Sequence, residues 1–234
     1  MIGVFINAAA IIVGGLMGLL FHKGISDKIS NALMTSIGLC VIAIGITGIL
    51  KGQNTLVLIL GAVCGTFVGT LTDIDNLLNK LGDWVESRFA SKATPGSLTQ
   101  GFVAGSLLMC VGAMGIVGSL NAGLNGDIST LLTKSVLDFI SAALLTISLG
   151  PGVLLSSVVL FVVQGSIVML AQVLYPLLSD AMIAEMICIG SVMILALGFN
   201  LIGVTKIKVA NLLPGIVFVP VFYGILCYFW HVSM

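Results

Sequence analysis

A pair of opposite charges lies inside an apolar stretch, where Lys134 is followed four residues later by Asp138. On a helix, this spacing brings the two side chains to one face. A carboxylate inside a membrane-spanning helix costs roughly 2.5–3.5 kcal/mol on insertion scales, so it usually faces a partner or a water-filled cavity. The pair therefore predicts a site that binds a coupling proton or cation at Asp138, with Lys134 as its neutralising partner. The alternative is a solvated, structural ion pair near the outer end of the helix, with Lys134 extended to the interface.

Side-chain amides in or next to apolar segments form a second group, which includes Asn7, Gln164 and Asn211. An amide oxygen can ligate a cation, and a whole amide can hydrogen-bond a polar substrate. The alternative is hydrogen bonding between helices, which contributes about 1 kcal/mol. Asn7 and Gln164 occupy matching positions of an internal repeat, and this favours them over the other amides for binding.

A second carboxylate, Glu185, lies a few residues into another apolar segment, shortly after Asp180. Its position near the end of that segment predicts an interfacial residue. A second coupling carboxylate is the alternative.

The segment 109–121 is rich in glycine, with Gly112, Gly115 and Gly118 spaced three residues apart. Such a helix can unwind and expose backbone carbonyls and amides, which is tolerated at membrane depth only where they line protein or a cavity. The alternative is a close-packing face for a neighbouring helix. The candidate binding residues are Asn7, Cys110, Gly112, Met114, Gly115, Gly118, Lys134, Asp138, Gln164 and Asn211.

Motifs of soluble enzymes are missing from the sequence. It contains no phosphate-binding GxxxxGK[ST] and no metal-binding HExxH, and its two histidines, His22 and His231, lie far apart. The five cysteines lie within apolar runs and include no CxxC pair. We therefore expect no enzymatic activity, no cofactor and no metal site.

The composition is typical of a membrane protein. Of the 234 residues, 59% are hydrophobic and 8% charged, and nine basic residues balance nine acidic ones. Soluble domains are about 45–50% apolar and about 25% charged. These values exclude a soluble domain, a disordered chain and an electrostatic nucleic-acid binder. A spanning helix needs about 20 apolar residues. The apolar runs predict about eight such helices, at 2–21, 30–50, 54–72, 101–120, 131–149, 153–175, 181–203 and 209–230.

One substantial polar stretch covers residues 73–100. Apolar residues repeat at helical spacing from Ile74 to Val85, which predicts an amphipathic helix in the headgroup plane, followed by a loop.

With eight spans, one side of the membrane carries Lys23, Lys28, Lys80, Arg88, Lys92, Lys206 and Lys208, and the other carries Lys51 and Lys134. This positive-inside bias predicts a cytoplasmic amphipathic helix and both termini outside.

The two ends of the chain resemble each other at a separation of about 153 residues. The matching blocks are Ile25-Ser-Asp27, Ile37-Gly38 and 41–45 in the first copy, and Leu178-Ser-Asp180, Ile189-Gly190 and 194–198 in the second. Five spans precede the second copy, so the copies have opposite orientations. Inverted repeats are typical of secondary transporters, whose sites lie near the midplane between the copies.

Several blocks are also similar to a known family. They are Asn7-Ala-Ala-Ala, Gly112-Ala-Met-Gly-Ile-Val-Gly-Ser-Leu, Gly126-Asp127, Lys134-Ser-Val-Leu-Asp138, Asp180-Ala-Met-Ile-Ala-Glu185 and Val209-Ala-Asn-Leu-Leu-Pro214. Over essentially its whole length the chain resembles the domain-of-unknown-function 554 family of bacterial inner-membrane proteins. The resemblance implies a multi-pass protein of the bacterial plasma membrane and supplies no substrate.

The leading hypothesis is an all-α secondary transporter, in which a small solute or ion binds between the repeats and is coupled to H⁺ or Na⁺ through Asp138. Its single membrane domain, 1–234, divides into repeats at 1–73 and 151–234, an amphipathic segment at 74–100 and a two-helix middle unit at 101–150. One alternative is an oligomeric channel packed through Gly61, Gly65 and Gly69, a face that predicts either a homodimer or packing within the chain. Another is a scaffold that recruits a partner through the helix at 74–89. The expected partners are the lipid bilayer and the solute or ion, and not nucleic acid.

Overall fold

The computed structural model describes residues 1–22, 27–77, 80, 97–110, 113–174, 176 and 178–230. In these ranges the chain is helical and contains no strand, which confirms the all-α membrane fold. The helices are α1 (Ile2–His22), α2 (Asp27–Ile49), α3 (Thr55–Thr72), α4 (Ser97–Cys110), α5 (Ala113–Leu124), α6 (Ser129–Leu149), α7 (Gly152–Leu174), α8 (Asp180–Leu201) and α9 (Gly215–Trp230), with a 3-10 turn at Val209–Leu212 before α9.

Local sequence explains where several helices begin and end. The Asn54 side chain caps α3 by accepting hydrogen bonds from the backbone N–H groups of Leu56 and Val57. Asp73 ends α3 in the left-handed conformation, with φ of 47°. Before α6, the Ser129 N–H donates to Asp127 at 2.9 Å. The hydrogen bonds from Ser129 hold the pKa of this exposed carboxyl below its ordinary value.

Glycines let the helices approach closely. α3 packs on α9 and the preceding turn, where a Cβ at Gly65 would overlap the backbone of Gly215 and one at Gly69 the carbonyl of Asn211. The predicted glycine face of α3 is therefore covered within the chain, as the packing interpretation expects. α8 is the most enclosed of the seven candidate spans, with 67% of its span buried, compared with 17% for α2.

The fourth predicted span is longer than 101–120. It is divided into α4 and α5, which are bent by 58° relative to each other, in agreement with the prediction that this glycine-rich helix can unwind. The described residues contain seven segments long and apolar enough to span, the last of which, Val209–Cys227, joins the 3-10 turn to α9. They contain eight if the bent pair is counted as one span. The glycine-rich sequence explains the break because glycine weakens a helix interior.

The relative directions of the helices favour eight crossings. α1 and α6 run parallel, because Gly14 lies against Phe139 and Gly18 against Ala143. α6 must therefore be an odd-numbered crossing, which requires one crossing between α3 and α6. The structure has eight spans if α4 and α5 cross the membrane together.

The last predicted span is also interrupted. The 3-10 turn occupies Val209–Leu212, and α9 begins only at Gly215, directly after Pro214. Proline is favoured at the start of a helix and breaks its interior.

Most of the predicted amphipathic helix at 74–89 lies outside the described residues. The described part of this segment, 74–77 and 80, is helical. Gly112, Lys23, Arg88, Lys92 and His231 also lie outside them.

Candidate functional site

The Lys134–Asp138 pair lies inside the protein. The ammonium Nζ of Lys134 is 2.8 Å from Oδ1 and 2.7 Å from Oδ2 of Asp138, and the side chains are 8% and 7% exposed. Asp138 is the tenth residue of the 21-residue α6, which places it about 13.5 Å along a helix of about 31 Å. The pair is thus buried near the middle of the span, unlike a solvated pair at its outer end.

The amide pair lies beside it. Asn7 of α1 donates from Nδ2 to Oε1 of Gln164 in α7 at 3.3 Å, and the two residues are 0% and 1% exposed. The same Asn7 amide faces the Asp138 carboxylate. The four polar side chains from α1, α6 and α7 therefore form one buried cluster, here called the central cluster: Asn7, Lys134, Asp138 and Gln164.

The adjoining ends of α4 and α5 contribute residues beside the central cluster. An ideal Cβ on Gly115 would lie 3.4 Å from Cε of Lys134 and 3.5 Å from Nε2 of Gln164. Cys110, at the end of α4, is close enough to Lys134 and Asp138 to interact with both electrostatically. The carbonyl end of one half-helix and the amide end of the other thus meet beside the ion pair. Such ends carry partial charges that can bind ions or polar groups.

Two atoms of the central cluster have no hydrogen-bond partner among the described residues: Oδ1 of Asn7 and Nε2 of Gln164. One is an acceptor and the other a donor, and both are buried. A buried polar group without a partner costs about 1–3 kcal/mol. The cluster therefore holds hydrogen-bonding capacity that a water molecule or a bound solute can use.

Three of the predicted residues lie away from these unpartnered atoms. Met114 is 46% exposed, and Gly118 packs against Thr130 and Leu131 of α6. Asn211 is buried, but its Oδ1 accepts the Asp75 N–H at 2.9 Å, which ties the turn before α9 to the chain after α3. The structure thus gives Gly118 and Asn211 packing contacts outside the central cluster.

Glu185 lies near the start of α8, as the sequence indicates, and it is enclosed by protein, with 1% of its surface exposed. Its Oε1 accepts hydrogen bonds from the N–H groups of Gln53 at 2.6 Å and Asn54 at 2.7 Å. Short contacts to this loop could not be expected from sequence because the partners are more than 130 residues away.

Comparison with known proteins gives the family. Residues 2–224 match the model of a family described as a protein of unknown function, DUF554. The chain is 32% identical over 225 residues to YdfK of Bacillus subtilis strain 168, named an uncharacterized membrane protein, covering 94% of this chain and 95% of YdfK. It is 31% identical over 218 residues to YqgA of Escherichia coli strain K12, named an uncharacterized protein, covering 92% and 93%. No solved structure matches the chain. The chain belongs to the DUF554 family, and this confirms the resemblance found in its sequence.

Proposed function

We propose that this DUF554 membrane protein is a secondary transporter of a small solute or ion, with the central cluster as its binding site. The observation that carries the proposal is the buried Lys134–Asp138 pair beside a broken span. Intramembrane charges are costly and mark ion or substrate pathways in membrane proteins. Half-helix ends at the same depth are typical of transporter sites.

The contacts between helices support the inverted repeat that this function implies. Each helix of the first repeat packs on its counterpart in the second: α1 on α7, α2 on α8 and α3 on α9. α2 and α8 run antiparallel, since Gly45 meets Leu195 and Gly52 meets Cys188. A pseudo-two-fold axis in the membrane plane would produce such antiparallel pairs. The hydrogen bond between Asn7 and Gln164, which match in the predicted repeat, supports the same relation.

The ion pair suggests how coupling works. Both oxygens of Asp138 contact Lys134, so a proton or Na⁺ that binds the carboxylate competes with the ammonium. A displaced Lys134 stays beside Gly115 and Gln164, where it can bind an anionic or hydrogen-bond-accepting group of the solute. Cation binding at Asp138 thus favours solute binding at Lys134.

We further propose that the protein lies in the bacterial inner membrane with both termini outside. Eight crossings place the termini on one side, and seven of the nine basic residues then lie on the other. In this orientation the central cluster lies in the outer half of the membrane. Labelling of single cysteines at the two termini by a membrane-impermeant reagent in intact cells tests this. Protection of either terminus would contradict it.

The channel alternative requires Gly61, Gly65 and Gly69 to pack between copies of the chain. In the structure these glycines pack against α9 or the turn before it in the same chain, which supports the transporter over the channel. The single-domain organisation and a possible homodimer remain predictions.

The function is tested by a thermal-shift screen of the purified protein against small metabolites, in Na⁺ or choline buffers at two pH values. A ligand present at 100 times its Kd adds about 2.7 kcal/mol of stability. We expect a hit that is lost in Asp138→Asn and kept in Asp180→Asn, which removes an exposed carboxylate in the same way. The hit should then show saturable exchange in liposomes. A hit of full size in Asp138→Asn, or flux that rises linearly without saturation, would contradict the proposal.

A further inference from the structure

Gly115 is a buried glycine that neither helix packing nor backbone conformation requires. An ideal Cβ on Gly69 would overlap the backbone carbonyl of Asn211, so glycine is needed there for a close approach. At Gly115 the nearest atoms to such a Cβ are 3.4 Å and 3.5 Å away, which is ordinary van der Waals contact. The backbone of Gly115 does not have a positive φ either. The glycine therefore leaves a buried space the size of a methyl group.

Hydrogen-bond donors lie around this space. The atoms nearest to the Cβ position are Cε of Lys134, which carries the ammonium, Nε2 of Gln164 and the carbonyl oxygen of Cys110. Nε2 of Gln164 is buried and has no hydrogen-bond partner among the described residues. Gly115 is the third residue of α5, and the first N–H groups of a helix have no acceptor within it and carry partial positive charge. Against one carbonyl, the space therefore has an ammonium, an amide nitrogen and the positive end of a half-helix.

The hydrogen bonds of the central cluster fix the direction of the Gln164 amide. Nδ2 of Asn7 donates to Oε1 of Gln164 at 3.3 Å. The Asn7 amide also donates to the Asp138 carboxylate, and only its nitrogen can do so. Gln164 therefore directs its oxygen to Asn7 and its nitrogen to the space beside Gly115. It offers a ligand in this space a donor and not an acceptor.

The charges of the central cluster distinguish the classes of solute. The Lys134–Asp138 pair alone is neutral. A cation bound at Asp138 gives the buried site one positive charge, and an unpaired buried charge is costly. A monovalent anion beside Lys134 restores neutrality, whereas a neutral or cationic solute does not.

We propose that the solute is a small monovalent anion, held by Lys134, Nε2 of Gln164 and the first turn of α5 in the space beside Gly115. The anion site rests on the proposed function, in which a cation at Asp138 frees the ammonium of Lys134. The methyl-sized space restricts the solute to an ion of a few heavy atoms. The anion and the coupling cation cross the membrane together, so the buried site stays neutral when empty and when filled.

The anion site is tested on the purified full-length protein in sodium formate, sodium nitrate or sodium chloride. Sodium gluconate at the same concentration is the reference, because gluconate is too large for the space. We expect at least one of the three small anions to raise the melting temperature saturably above its value in gluconate, at acidic or neutral pH. Melting temperatures equal to that in gluconate for all three anions at both pH values would overturn the proposal.

A matched pair of variants locates the anion. Gly115→Ala fills the space, whereas Gly224→Ala adds the same methyl group to α9, where no atom lies within 4 Å. Alanine favours a helix more than glycine does, so both variants should melt in gluconate at or above the temperature of the unaltered protein. The anion-dependent rise should be lost in Gly115→Ala and kept in Gly224→Ala. A rise of full size in Gly115→Ala would overturn the proposal.

A second variant keeps the test valid if Gly115→Ala folds poorly. Lys134→Met/Asp138→Leu removes the ammonium without leaving a charge buried, and it should also lose the rise; a rise that persists there would overturn the anion site. Anion binding and transport can fail separately. A protein that binds the anion but shows no saturable exchange in liposomes would lose only the proposed function. Coupled exchange of a neutral or cationic solute, unchanged in Gly115→Ala, would remove only the anion site.

Discussion

Asp138 and Glu185 are both buried carboxylates, but the protein satisfies them in opposite ways. Asp138 has both oxygens bound by the ammonium of Lys134, four residues away on the same helix. Glu185 has no described basic partner, and through one oxygen it binds two backbone N–H groups of a distant loop. One carboxylate is paired with a charge on its own helix, and the other is held by hydrogen bonds from a distant part of the fold.

This difference affects what each site can do. The Lys134–Asp138 pair stays intact if neighbouring helices move, because both partners belong to α6. The Glu185 contacts join α8 to the start of α3 and break if these elements separate. The Lys134–Asp138 pair is thus local to one helix, whereas the hydrogen bonds of Glu185 join two elements of the fold.

Removal of the lysine partner should have the largest effect. Lys134→Met leaves Asp138 buried without a counter-charge, and the free energy of unfolding in detergent should fall by about 3–5 kcal/mol. The double variant Lys134→Met/Asp138→Leu should recover most of this loss because no charge remains buried. A double variant that is less stable than Lys134→Met would show that the pair itself contributes the stability.

Changes at Glu185 should depend on whether an acceptor is kept. Glu185→Ala leaves the N–H groups of Gln53 and Asn54 without their acceptor, and stability should fall by about 1–3 kcal/mol. Glu185→Gln keeps an amide oxygen for both and should cost less than about 1 kcal/mol. Unfolding titrations of the two variants compare them, and hydrogen exchange should be faster at residues 53 and 54 in Glu185→Ala only. Equal losses would mean that the charge, and not the acceptor, stabilises the loop.

The amide pair should contribute less than either carboxylate. A double-mutant cycle with Asn7→Leu and Gln164→Leu should give a coupling energy of about 1 kcal/mol, the usual size of an interhelical hydrogen bond in a membrane. Thermal unfolding of the two single variants and the double variant measures it. A coupling energy near zero would contradict this expectation, because it would mean that the hydrogen bond between Asn7 and Gln164 does not stabilise the fold.

The exposed pair Lys208–Asp73 should have the smallest effect. Its atoms are 3.5 Å apart, and the side chains are 61% and 46% exposed. Solvent weakens such a pair, so Lys208→Met should change the free energy of unfolding by less than about 0.5 kcal/mol. The same assay gives this value as the reference for Lys134→Met. A loss as large as that of Lys134→Met would mean that burial does not explain the difference between the pairs.

Much of the central cluster could be predicted from the sequence. Lys134 and Asp138 share a helix face by spacing alone, and the predicted repeat pairs Asn7 with Gln164, which are hydrogen-bonded in the structure. The glycines at 112, 115 and 118 predicted a weak point in the fourth span, and the helix is interrupted between Cys110 and Ala113. The environment of Glu185 was not predictable, since the loop at 53–54 bears no sequence mark of a carboxylate partner.

The sequence by itself determined the membrane class, the all-α fold, the approximate positions of the spans and the pairing of Lys134 with Asp138. These features depend on hydropathy and on spacing within one helix, which are local properties. Only the tertiary structure decided that Asn211 serves packing near the end of α3, that Gly115 faces the ion pair and that Glu185 is enclosed against residues 53 and 54. Those features depend on how each helix is rotated and which neighbour it meets, and helix packing sets both across long separations in the chain.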